Sequence, residues 1–214
     1  MPNSSKWLSE QFPNVAKYPL SKRHMRLWAW IEVVASDQPT PKPRVEEWPR
    51  GGAKSTTAEL GVAYIGSRPK LRRRYVLYIS ETQDQADKHV QAIATLFERL
   101  GTERSISKYG ASKGWRRNQL RCSNGFNVEA LGLDTAARGI KLDEFRPDLM
   151  VFDDIDNRND TPAKTAKKIT TITDSILGSE AEDAAILCIQ NRIIEDGVFA
   201  QLADGRAEFL YDRE

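Results

Sequence analysis

Three short runs constrain this chain more than anything else in it. Arg74-Tyr75-Val76-Leu77-Tyr78-Ile79-Ser80, Leu149-Met150-Val151-Phe152 and Ala184-Ala185-Ile186-Leu187-Cys188-Ile189 are apolar almost without interruption. A strand with one wet face alternates apolar and polar residues; one that is apolar throughout is buried on both faces, the condition of a central strand in a parallel sheet. Parallel neighbours need a crossover between them. One follows the first run, where Ala86, Val90, Ile93, Leu96 and Phe97 recur at helical spacing within Thr82 to Leu100, and another, Thr161 to Leu177, precedes the third. Strand and helix therefore alternate, and the expectation is an α/β fold whose mainly parallel central sheet is covered by helices on both faces.

The remaining segments fit around that frame. Residues 1–20 are polar and broken by Pro2, Pro13 and Pro19, so they read as a partly ordered lead-in. Met25, Trp28, Ile31 and Val34, with Leu27 and Trp30 beside them, mark a helix from Lys22 to Ala35 with a broad buried face. Pro39, Pro41 and Pro43 then interrupt the chain. Arg44 to Trp48 reads as a short strand, although Glu46 and Glu47 suit a central position poorly. Thr56 to Ile65 is helical, residues 101–124 read as a solvated basic hairpin, Phe126 to Leu131 alternates as a half-buried strand, and Gly132 to Gly139 is a loop with a short helical turn. The chain divides into a lead-in, helix and proline-rich linker over residues 1–43 and a large domain over residues 44–214.

Bulk composition excludes more than it names. With 214 residues and a formal net charge of +2, global charge points to no particular partner. Cys122 and Cys188 lie far apart and only His24 and His89 could join them, so no zinc pattern forms. Without a secretory signal, both cysteines are expected as buried thiols in a reducing, cytoplasmic setting. No apolar stretch approaches the roughly 18 residues of a membrane span.

The chemistry gathers where strands end. Pro49-Arg50-Gly51-Gly52-Ala53-Lys54-Ser55-Thr56-Thr57 packs small residues, a lysine and hydroxyls into one run ahead of a helix. Small residues let successive N–H groups turn toward an anion, the ammonium reaches outer phosphates, and the following hydroxyl can ligate Mg²⁺. The full phosphate-loop pattern has glycine at positions 48 and 53, where this chain has Trp48 and Ala53. Alone, the run fits either a nucleotide site or a Gly-Gly turn beside a surface lysine. Asp153 and Asp154 close the second apolar run, where one carboxylate would hold Mg²⁺ and the next would orient and deprotonate the attacking water; the pair could equally cap a helix. Gln190 and Asn191 close the third run and could sense a γ-phosphate through an amide, or cap the next helix. Ligands of parallel sheets sit beyond the carboxyl ends of the strands, and all three clusters fall there, which favours the Mg²⁺-nucleotide reading. Lys54 supplies charge for the phosphates, with Arg50, Arg138 and Arg192 as further candidates.

Together these residues resemble the ATPase domain of tailed-bacteriophage terminase large subunits, the motors that package DNA into proheads. The resemblance covers residues 44–200. It rests on Pro49 to Thr56, similar to the arginine-bearing Walker A loop of that family; on Ala137-Arg138-Gly139; on Arg146-Pro147-Asp148-Leu149-Met150-Val151-Phe152-Asp153-Asp154, the most specific piece; and on Ile189-Gln190-Asn191-Arg192 at the place of the coupling motif. It implies a RecA-like P-loop NTPase fold of the ASCE type, with ATP and Mg²⁺ as cofactors. Pro49, Arg50, Gly51, Gly52, Ala53, Lys54, Ser55, Thr56 and Gln190 would bind the nucleotide, and Ser55 and Asp153 would hold the metal. Asp154 would be the catalytic carboxylate, Arg50 would act in cis, and Arg138 would complete a neighbouring subunit's site in trans. Double-stranded DNA, a portal protein and a small terminase subunit are the implied partners, with a homo-oligomeric ring on the prohead, working in the host cytoplasm rather than in the mature virion.

Two departures qualify the resemblance. Glutamate often stands where this chain has Asp154, so its shorter carboxylate implies slow turnover. The family continues into an RNase H-like nuclease domain that this chain lacks, so no nuclease activity is expected of it. Two rival readings stay open: a helicase or other DNA-stimulated P-loop ATPase, and a nucleotide- or DNA-binding scaffold that no longer turns ATP over. The basic runs Arg68 to Arg74 and Arg104 to Arg121 are candidates for DNA-phosphate or neighbouring-subunit contact.

Overall fold

The computed structural model describes residues 3–17, 19–135 and 145–211. Strands β1 (Arg44–Glu47), β2 (Tyr75–Ser80), β3 (Gln119–Arg121), β4 (Asn127–Gly132), β5 (Leu149–Asp153) and β6 (Ala185–Gln190) form one sheet in the order β1-β6-β5-β2-β4-β3. Every neighbouring pair is parallel except β3 with β4. The three apolar runs are the adjacent interior strands β6, β5 and β2, and all three are buried along their whole length. Their side chains alternate between two cores, as the pleat requires. Val76, Tyr78, Val151 and Leu187 face one core; Leu77, Ile79, Met150, Phe152 and Ile186 face the other.

The first core is covered by α3 (Lys54–Gly66) and α4 (Gln83–Arg99), with α2 (Lys22–Val34) lying outside α3. α3 is sandwiched and buried nearly all round. Gly61 sits at the crossing with α2, where a Cβ would stand 2.7 Å from Ile31 Cδ1, so any side chain there would displace Ile31. α4 opens with a capping box between Thr82 and Gln85. The second core is closed by α5 (Pro162–Thr171), α6 (Val198–Ala203) and α7 (Glu208–Tyr211). The helix expected to run to Leu177 passes instead into a π turn over Ile172–Ile176 and a 3-10 turn over Leu177–Ser179.

Several expectations need correction. The lead-in contains a helix, α1 (Asn3–Gln11), which sends Leu8, together with Phe12 just past its end, into the first core, while Trp7 packs edge-on against Tyr64 at 5.3 Å. Met25, placed on the apolar face of α2, is 53% exposed. The cause is geometric: at about 100° per residue, a series spaced by three drifts until Met25 lies half a turn from Val34. Glu46 is tolerated because β1 is an edge strand and because Arg44 and the Trp48 indole, at 2.7 Å, both engage its carboxylate. β3 occupies part of the segment read as a solvated hairpin. Most of the helical turn expected within Gly132 to Gly139 lies outside the described residues.

Candidate nucleotide site

β1 delivers the chain to Trp48, which stands where the first glycine of the loop pattern would be. Its side chain is buried, edge-on to the His24 ring at 4.7 Å, and its backbone N–H donates to Gln190 O at 3.1 Å. His24 comes from α2 and braces the loop, with Nε2 3.1 Å from Gly52 O and Nδ1 2.7 Å from Ser21 Oγ. A carbonyl can only accept, so Nε2 carries a proton and donates to Gly52 O. Beyond it the backbone turns left-handed at Gly51 (φ 76°) and again at Ala53 (φ 55°). That second turn starts α3 without a side-chain cap, whereas Ser21, Thr82 and Thr161 cap α2, α4 and α5. The first N–H groups of α3 and the positive end of its dipole are thus left for an anion.

β5 ends opposite this loop. Asp153 is fully buried, and its Oδ2 accepts from the Tyr78 hydroxyl at 2.9 Å and lies 3.6 Å from His89 Nε2. Its Oδ1 accepts no hydrogen bond of ordinary geometry, although the Ser55 hydroxyl lies near enough to the carboxylate to lower its pKa. Burial pushes the Asp153 carboxyl up; the attraction of His89 opposes this, Asp154 adds to it, and the Ser55 and Tyr78 hydroxyls pull back down. A buried carboxylate oxygen without a hydrogen bond, beside a serine hydroxyl, is the hard-oxygen donor pair that Mg²⁺ takes together with phosphate and water. The residues present therefore fit that ion.

Asp154 follows in a left-handed conformation (φ 51°), and its carboxylate meets Lys54 Nζ at 3.1 and 3.3 Å. Its loop is held from several sides. Gln190 Oε1 accepts from the N–H groups of Ile155 (2.8 Å) and Asp156 (3.1 Å), Asp156 accepts from Val198 and Phe199 at the start of α6, and Lys168 Nζ donates to Ile155 O at 2.8 Å. Such cross-bracing is what lets a non-glycine residue persist at positive φ.

Between loop and strand ends lies a cleft of about 530 Å³. Arg50, Gly51, Lys54 and Asp154 line it as expected, and Asn191 reaches it, while Gln190 lies wholly buried beneath the Asp154 loop. Pro49 closes the loop turn by accepting from Gly52 N–H at 3.2 Å, and Thr56 is exposed on α3 away from the lining. Arg192 is turned to Glu47 (3.0 Å) and Asp204 (2.6 Å). Arg138 lies outside the described residues. Several cleft residues went unread in the sequence, the charged Arg158 and Glu81 among them. Arg158, exposed and without an ion pair among the described residues, lines the cleft together with Arg50. Glu81, held by Asn157 Nδ2 at 2.9 Å, follows β2 as Asp154 follows β5, so the strand-end rule pointed to it.

The basic runs fare differently. Arg68 bonds the Tyr64 hydroxyl at 3.3 Å, Lys70 pairs with Asp37, Arg72 with Asp183, and Arg73 is buried, donating to Asp148 O, Asp183 O and Thr40 Oγ1. That run is largely spent within the fold. In the other, Arg104 pairs with Glu98 and Arg117 with Asp84 and Asp87, leaving Lys108, Lys113 and Arg116 exposed with no ion pair among the described residues.

A small-residue loop after β1, two acids at the end of β5 and β6 between these strands match the layout of the RecA-like P-loop fold. No protein-family model matches the chain, and no curated protein does. Solved structures do. A Saccharomyces cerevisiae Dbp5 variant bound to Nup159, a Gle1 variant, IP6 and ADP matches with a TM-score of 0.57 at 13% identity, over 97% of this chain and 50% of that one. The same Dbp5 variant with Gle1 and IP6 gives 0.55 at 12%, over 98% and 48%. The large terminase ATPase domain of Thermus phage P74-26 gives 0.53 at 17%, over 86% and 70%. The chain thus spans about half of each Dbp5 chain. At these identities the likeness is one of fold, the RecA-like P-loop fold.

Proposed function

We propose that the chain is a Mg²⁺-dependent ATPase that drives translocation of double-stranded DNA during viral genome packaging. The observation that carries the nucleotide part is the uncapped N-terminus of α3, whose Lys54 reaches Asp154 at 3.1 Å beside the bare, buried Oδ1 of Asp153. Phosphates on the α3 N–H groups would draw Lys54 away from Asp154, freeing that carboxylate to orient and deprotonate a water. Arg50 and Arg158 would meet the charge that develops as the terminal phosphoryl group leaves, and Arg138 would serve a neighbouring subunit. Ser55 and Asp153 would hold Mg²⁺, which when bound neutralises phosphate charge.

The packaging role is supported by the terminase-like run Arg146 to Asp154 and by the fold shared with the phage terminase ATPase domain. Portal and small-subunit contacts and a ring on the prohead in the host cytoplasm belong to this reading. A second reading, strand remodelling by a nucleic-acid-stimulated ATPase, draws on the Dbp5 match, which covers nearly the whole chain. ATP hydrolysis by the purified chain, with and without duplex DNA, tests both. DNA-stimulated turnover that Lys54→Ala and Asp154→Ala abolish is expected, and unwinding of a forked duplex would favour the second reading. No turnover, together with nucleotide binding indifferent to Lys54→Ala, overturns the proposal.

A further inference from the structure

Behind the cleft, separate elements converge on one oxygen atom. Tyr78 of β2 donates its hydroxyl to Asp153 Oδ2 at 2.9 Å, and His89 of α4 holds Nε2 3.6 Å from the same oxygen. The other imidazole nitrogen, Nδ1, is 2.7 Å from Glu59 Oε1, and the ring stacks on Tyr78 with centroids 4.8 Å apart. Glu59 belongs to α3, one helical turn beyond Ser55 and so on the same side of that helix. Tyr78 is fully buried, and the side chains of His89 and Glu59 are 19% and 15% exposed. The chain Glu59–His89–Asp153 therefore links the phosphate-loop helix to the end of β5.

We propose that Glu59, His89 and Tyr78 are positioning residues that fix Asp153 with Oδ1 presented to Mg²⁺ and tie that carboxylate to the helix carrying Ser55. The proposal deepens the Mg²⁺-nucleotide reading and rests on it. A carboxyl group at a strand end can swing about its side-chain bonds, and engaging one oxygen from two sides removes that freedom. A network built only for stability satisfies its buried polar atoms. This one crowds its partners onto Oδ2 and leaves Oδ1 bare at zero residue exposure, an arrangement that costs free energy until a cation arrives. Because Glu59 and Ser55 ride on one helix, the relay sets both metal-facing oxygens together.

The experiment is an Mg²⁺ titration of fluorescent ADP-analogue binding to the wild-type chain and to Glu59→Gln, His89→Gln and Tyr78→Phe, with thermal melting run alongside. Partners that orient a metal ligand change metal affinity about 10–100-fold, so the Mg²⁺ midpoint should rise by about that factor while Mg²⁺-free affinity stays within about twofold. The Glu59→Gln/His89→Gln double variant should be no worse than the worse single one, since both break the same link. If Tyr78→Phe does not fold, the two partly exposed positions carry the test. Midpoints equal to wild type overturn the relay and leave the nucleotide reading standing. Mg²⁺-free binding that falls in step with Mg²⁺-dependent binding also overturns it, assigning these residues to the shape of the loop. Wild-type binding that ignores Mg²⁺ overturns the metal reading and the relay together.

Discussion

Replacing Ala53 by glycine should stabilise the protein, although the substitution removes atoms. Ala53 holds φ 55°, where an L-residue with a Cβ pays about 1–2 kcal/mol and glycine does not. Against this, glycine enlarges the conformational freedom of the unfolded chain, worth about 0.4–1 kcal/mol. The Ala53 methyl is exposed and the residue caps α3 through no side-chain bond, so no burial or hydrogen bond is lost. The balance favours the folded state of Ala53→Gly by about 0–1.6 kcal/mol, centred on about 0.8 kcal/mol, and for a chain of this size about 1 kcal/mol corresponds to about 2–4 °C in Tm. The neighbouring turn supplies the control. Gly51 has φ 76° and a Cβ there would meet nothing within 4 Å, so Gly51→Ala introduces strain without a clash and should melt lower by a similar amount. Reversible unfolding followed by circular dichroism, with urea midpoints at constant m, measures both. An Ala53→Gly protein that melts below wild type, or a Gly51→Ala protein that melts above it, refutes the strain argument.

Three further outcomes follow from the geometry. Lys54→Ala should weaken nucleotide binding at least about tenfold yet shift stability by less than about 1 kcal/mol, because its partner Asp154 is 42% exposed and returns to water; nucleotide titration and urea unfolding separate the two effects. Gly61→Val forces a branched side chain into the space held by Ile31 and should cost about 1–3 kcal/mol, read from the urea midpoint. Hydrogen bonds from Arg192, and then from Arg206, hold the Asp204 carboxyl down at about 2 from its ordinary 3.8. Its folded-state pKa is the lower one, so this stabilisation is present above pH 3.8 and lost as pH falls through about 2; the Tm gap between wild type and Asp204→Asn should be constant above that window and close within it.

The sheet was legible because three interior strands are apolar on both faces, and only a parallel arrangement buries such strands so completely. β3 was not legible, since three residues with only Leu120 buried carry no periodic signal. α1 was hidden by its polar composition, although Trp7, Leu8 and Phe12 share one side of it and do the packing. Edge position, a tertiary property, decides the fate of Glu46: the same glutamate in β5 would have no Arg44 or Trp48 beside it.

The candidate loop from Pro49 to Thr57 could be picked out despite its missing glycines because its small residues constrain backbone direction, and Ala53 reaches the left-handed region at an exposed position while the buried Trp48 anchors the loop. The support behind Asp153 could not be read, because Glu59, Tyr78 and His89 meet only once β2 is known to lie beside β5 with α3 and α4 over the same face. One feature ties both halves of the site together. Among the described residues, the non-glycine positions with positive φ are Ala53 and Asp154, and both belong to one ion pair's setting: Ala53 precedes Lys54, and Asp154 is its partner. Each costs about 1–2 kcal/mol and persists because the surrounding structure over-determines it. A fold that needed only stability would relieve such strain with glycine at either place; the two strained positions instead hold the Lys54 ammonium against the Asp154 carboxylate, the contact on which the proposed nucleotide site depends.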